Sequence, residues 1–151
     1  MAEAYIVAAV RTAGGRRNGR LMGWHPVDLA GAVLAEVVAR SGVDPNAIDD
    51  VIMGCVGQAG EQALHVGRNA VLASGLPTSI PAVTIDRQCG SSQQAIQFAA
   101  QAVLPAVAAG VALLVTGTGA YAAAGALLLG AAVPSPARSP RTSPPLHQSP
   151  R

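Results

Sequence analysis

Three short apolar runs, each followed by a segment of helical period, limit what residues 4–103 can fold into. The runs are 4–10 (AYIVAAV), 50–56 (DVIMGCV) and 82–86 (AVTID). A Gly/Arg loop, 14–23, separates the first run from a helical segment at 26–40. There Leu29, Val33 and Val37 recur at helical spacing with Leu34 beside them, Pro26 near the start and Gly42 just past the end. Residues 64–73 form a second helical segment, closed by Gly75 and Pro77. Residues 91–103 form a third, with Ile96, Ala99, Ala100 and Val103 on one face. Strands that alternate with helices imply βαβ units, right-handed crossovers and a mostly parallel sheet. The expectation is an α/β fold of order βαβαβα.

The chain changes character after this stretch. Every acidic residue lies at or before Asp86, so residues 87–151 carry no carboxylate. A soluble domain normally spreads both signs over its surface, so this asymmetry marks parts of different origin or role. In 104–133, 22 of 30 residues are hydrophobic and none is charged. A fourth strand at 111–115 and a helix at 121–132 are the readings for this apolar Ala/Gly-rich segment. Residues 134–151 hold six Pro, four Ser and three Arg. That composition cannot bury a core and reads as a disordered tail. The division expected is therefore 1–103, 104–133 and 134–151.

Composition removes some functions. The net charge of +2 is too small for a nucleic-acid surface, and no aromatics interleave with the arginines to stack bases. The N-terminus lacks the basic and apolar regions of a secretory signal. Cys55 and Cys89 then read as free thiols in a reducing cytoplasm.

Cys89 carries the most specific chemical suggestion in the chain. It stands between the strand at 82–86 and the helix at 91–103. A thiol there faces unpaired backbone N–H groups and the positive end of the helix dipole, and both favour the nucleophilic thiolate. The bland alternative is a small buried hydrophobe.

Several segments in order resemble the N-terminal part of the thiolases, the acetyl-CoA acetyltransferases and 3-ketoacyl-CoA thiolases. Ala8-Ala9-Val10-Arg11-Thr12 resembles the family's opening strand, and 15–21 its glycine-rich loop. Gly54-Cys55-Val56 with Gly60-Glu61-Gln62 resembles its second strand and turn. Arg68-Asn69-Ala70 and Gly75-Leu76-Pro77 resemble its second helix and exit, and Cys89-Gly90-Ser91-Ser92 its nucleophile turn. The resemblance covers residues 3 to about 103. It implies that Cys89 is the catalytic nucleophile, taking an acyl group as a thioester and passing it to CoA or to a second CoA thioester. Coenzyme A thioesters are then the substrates, with no bound cofactor and no metal, and a homo-oligomer is expected if the chain folds. Many members have Asn where this chain has Asp86 and Gly where it has Ser92. Neither change removes the thiol, although the Asp86 charge opposes a nearby thiolate.

The family's second domain supplies histidines and a second cysteine, and neither Gly-His-Pro nor Cys-x-Gly-Gly occurs in this sequence. Nucleophilic cysteine generally needs a base or cation within hydrogen-bond reach. His25, His65 and His147 match none of the family's catalytic positions; His25 and His65 read as surface or helix-cap residues. The end of the resemblance, the loss of acids and the tail composition together fit a truncated or frame-disrupted product of a GC-rich gene, without full activity. An inert fragment is the neighbouring alternative.

Two other readings rest on the apolar segment. Gly117-Thr118-Gly119-Ala120-Tyr121-Ala122 fits a dinucleotide-binding turn, but the acidic residue needed about 20 positions later does not exist. Residues 104–133 are long enough to span a bilayer, with Arg138 and Arg141 beyond them. Their Ala, Gly and Pro content weakens that signal, so membrane association is the alternative, not the expectation.

Overall fold

The computed structural model describes residues 4–103, 111–116 and 125–131. In chain order they form β1 (Ala4–Arg11), α1 (Pro26–Ser41), β2 (Ile48–Gly54), α2 (Val66–Ala73), β3 (Ala82–Ile85), α3 (Ser91–Val103), β4 (Val111–Thr116) and β5 (Gly125–Ala131). The strands build one sheet in the order β1-β5-β4-β2-β3. β2 pairs parallel with β3 and β4, whereas β5 pairs antiparallel with β4 and β1. Four strands therefore point one way and β5 alone runs against them, which makes the sheet the mostly parallel one expected.

The helix expected at 121–132 is not formed: 125–131 is β5. A hydrophobic Ala/Gly/Leu run has no period that separates a buried strand from a buried helix. Here tertiary structure decides, because β5 fills the gap between β1 and β4 and satisfies the backbone of both. The same strand removes the helix that a dinucleotide-binding turn would require, and its six glycine-rich residues, 117–122, lie outside the described residues. With β4 and β5 inside it, 104–133 is not one spanning helix. Among the described residues no helix is long and apolar enough to cross a membrane. The tail at 134–151 lies outside the described residues.

Helices cover both faces of the sheet. Val51 and Met53 of β2 pack with α1 and α2 around fully buried Leu34, Val37 and Val71. Ile52, on the opposite side of the pleat, packs with Ala95 and Ala99 of α3. α1 begins at His25, whose side chain accepts from the Val27 N–H, and Pro26 follows at the first helical position. It ends at Gly42, left-handed at φ 68°, whose N–H reaches the Val38 carbonyl.

Two details differ from the sequence expectation. β2 occupies 48–54, not 50–56, because a 3-10 turn at Pro45–Ala47 delivers the chain straight into Ile48. The face of α3 includes Ala99 and partly buried Ala100, as expected, but not Ile96. Ala95 and Ala99 are buried, while Ile96 is 36% and Phe98 43% exposed. The cause is close approach: a Cβ on Gly54 would lie 2.5 Å from the Ser91 carbonyl carbon and the Ser92 nitrogen. With α3 pressed so near the sheet at its first turn, alanine fits beneath it and bulkier side chains turn outward.

Candidate active site

The carboxyl ends of the parallel strands are level: Gly54 of β2 pairs with Ile85 of β3 and with Thr116 of β4. Ligands of open α/β sheets bind outside this edge. Cys89 is here, on the turn that leads from β3 into α3.

The turn is tightly closed. The Gly90 N–H donates to the Arg87 carbonyl at 2.7 Å, and the Gln94 N–H to the Gly90 carbonyl at 2.9 Å. The Ser91 hydroxyl accepts from the Arg87 N–H and donates to the Arg87 carbonyl, each at 3.0 Å. Gln88, Cys89 and Gly90 are thus looped out between two residues tied to each other. At the tip Cys89 is exposed and left-handed, with φ 60°. The buried-hydrophobe alternative is excluded by that exposure. Left-handed backbone disfavours a residue with a Cβ, and Cys89 shares it among the described non-glycine residues with Asn18 and Leu64.

Charge surrounds the turn. The Arg87 side chain crosses it, passing 3.6–3.7 Å from where a Cβ on Gly90 would sit, and its Nη1 donates to Gln94 Oε1 at 3.2 Å. The Arg87 guanidinium and the first turn of α3 therefore flank the loop that carries Cys89. Asp86, just before the turn, accepts with each of its two carboxylate oxygens from Gln88 Nε2 at 3.2 Å.

Cys55 is the contrasting cysteine. It lies just past β2, its N–H on the Ile85 carbonyl at 2.9 Å, its Sγ donating to the Gly57 carbonyl at 3.1 Å. Burial, with a smaller contribution from the Asp86 charge, pushes its thiol above the ordinary range. Both cysteines are free, as expected from the sequence.

The two described histidines are helix caps. His25 Nδ1 accepts from the Val27 N–H at 3.2 Å, and His65 Nδ1 accepts from the Arg68 N–H at 3.1 Å. His65 Nδ1 also meets Thr84 Oγ1 at 3.1 Å, which in turn accepts from the Gly67 N–H at 3.0 Å. His147 lies outside the described residues. No group of three or more His, Cys, Asp or Glu side chains able to hold a metal occurs among the described residues.

Ser91 stood in the Cys89-Gly90-Ser91-Ser92 motif, but its tie back to Arg87 was not legible, because nothing in the spacing of the two residues states that the chain turns back on itself.

The family model described as thiolase, N-terminal domain, matches residues 4–119. That match runs through β4, beyond the residue 103 at which the resemblance in the sequence ends. The chain is 53% identical over 108 residues to the steroid 3-ketoacyl-CoA thiolase FadA6 of Mycobacterium tuberculosis, covering 72% of this chain and 26% of that protein. It is 46% identical over 104 residues to the beta-ketoadipyl-CoA thiolase of Escherichia coli, covering 68% of this chain and 26% of that one. Among solved structures, the acetyl-CoA acetyltransferase of Bacillus anthracis superposes with a TM-score of 0.68 at 40% identity, over 76% of this chain and 29% of that chain. The chain thus spans about a quarter of the length of the curated relatives it matches.

Proposed function

The chain belongs to the thiolase family, and on that premise we propose that Cys89 accepts an acyl group from a coenzyme A thioester. The observation that carries this reading is the exposed, left-handed Cys89 on a hydrogen-bonded turn at the start of α3. The thiolate attacks the thioester carbonyl. The bond from that carbon to the CoA sulfur breaks and a bond to Sγ forms. The thiol proton passes to solvent, and the departing CoA thiolate takes one back. The relatives named above, two of them thiolases of 3-ketoacyl-type CoA substrates, support coenzyme A thioesters as the substrate class.

A complete cycle needs a base that assists the second substrate. Among the described residues, His25 and His65 each commit Nδ1 to a helix start. The expectation is that this chain loads the acyl group without completing the cycle. Purified protein given acetoacetyl-CoA and CoA should show no sustained cleavage. Cleavage that disappears in Cys89→Ala would overturn this.

Self-association belongs to the same reading. β1 and β3 are the sheet's outer strands among those described, and Ile6 and Val83, 66% and 40% exposed, lie on them. Unpaired strand edges with apolar side chains favour pairing with another chain. A cytoplasmic location is the compartment in which both thiols stay reduced.

A further inference from the structure

We propose that Ser91 is the positioning residue of the acyl-accepting turn, its hydroxyl holding the Cys89 backbone in the left-handed conformation. This rests on the reading of Cys89 as acyl acceptor. Ser91 is 6% exposed, the buried polar side chain among the described residues. Ser91 is the first residue of α3, one past the N-cap position held by Gly90. Its oxygen accepts from the Arg87 N–H, and its proton goes to the Arg87 carbonyl. Both capacities point backwards across the loop that carries Cys89.

The consequence is conformational. A non-glycine residue at φ 60° persists only where its surroundings over-determine it. On the α3 side, Gly54 fixes the Ser91 backbone against β2. On the β3 side, the Ser91 hydroxyl fixes Arg87. Removing the hydroxyl leaves the Arg87 N–H without its partner and leaves its carbonyl held only by Gly90. The loop between is then free to relax to negative φ, and the thiol moves with it. Ser91 touches no reacting atom and acts only through the backbone of Cys89.

The test uses the full chain with Ser91→Ala, and with Ser91→Thr beside Ser91→Val, two side chains of one shape that differ in the hydroxyl. Two readouts are taken: the rate of acetyl transfer from acetyl-CoA to Cys89 by intact mass, over a range of acetyl-CoA concentrations, and the three-bond HN–Hα coupling of Cys89 by NMR. In Ser91→Ala the maximal loading rate should fall about tenfold, with the half-saturating concentration unchanged and the coupling shifted from its left-handed value. Ser91→Thr should retain both properties and Ser91→Val should lose both. Wild-type loading and coupling in Ser91→Ala overturn the proposal. Should Ser91→Ala fail to fold, equal loading by the Thr and Val variants overturns it. If the unmodified chain does not load, the acyl-acceptor reading falls, and the coupling still decides whether Ser91 sets the turn.

Discussion

Gly54 and Ser91 meet backbone to backbone: a Cβ on Gly54 would stand 2.5 Å from the Ser91 carbonyl carbon and 2.7 Å from its oxygen. The last residue of β2 is thereby the seat on which the first turn of α3 rests. Everything placed at that turn, Cys89 included, depends on the absence of a side chain at Gly54.

Gly54→Ala should therefore cost about 1–3 kcal/mol, since the atoms in the way are backbone and cannot rotate aside. Urea denaturation measures the loss. Surviving folded protein should load acetyl groups onto Cys89 more slowly, because α3 must lift from the sheet. Unchanged stability would show that the approach is not as close as the geometry states.

The α/β alternation was legible in the sequence because its signals are local: Pro26 and Gly42 around α1, and a clear helical period within it. The Cys89 turn was legible through its motif and its place between β3 and α3. β5 was not, because Gly125–Ala131 takes strand form only through pairing with β1, more than a hundred residues away, and with β4, from Thr116 opposite Gly125 to Val111 opposite Gly130. The α3 face was misjudged for a similar reason. Spacing favours Ile96 for the core, but with α3 pressed close to the sheet at Gly54, Ala95 and Ala99 are buried beneath it and Ile96 is not. The Ser91 clamp is a long-range consequence of the same packing.

Cys55 predicts an alkaline loss of stability. Burial, then the Asp86 charge, raises its thiol above the ordinary value of 9.0, so the folded chain keeps a proton that the unfolded chain releases. Stability from this site is complete below the ordinary value and declines as pH rises through the folded one. Thermal melting between pH 8 and pH 10 should show the decline (roughly the thiol range). Cys55→Ala should remove that part of the slope while lowering stability overall.

Asp50 acts in the same direction at acidic pH. Burial first, and repulsion from Asp49, raise its carboxyl above 3.8 against an opposing hydrogen bond from the Val51 backbone. Its buried Oδ1 has no hydrogen-bond partner among the described residues. The site's contribution is present below 3.8 and is lost as pH rises through the folded value. Asp50→Asn should raise the melting temperature at neutral pH, and the gain should vanish near pH 3, roughly below the carboxylate range.

His65 is a structural residue. His65→Ala removes the acceptor for the Arg68 N–H and the partner of Thr84, and should cost about 1 kcal/mol, the usual worth of a helix cap. Acyl loading on Cys89 should be unaffected per folded molecule. A loss of loading without a loss of stability would make His65 part of the chemistry.

The most direct measurement is intact-mass and peptide analysis of the purified chain after incubation with acetyl-CoA. One acetyl group should appear on Cys89, with none on buried Cys55 and none in Cys89→Ala. An unmodified Cys89, or acetylation that persists undiminished in Cys89→Ala, would show that this thiol is not the acyl acceptor.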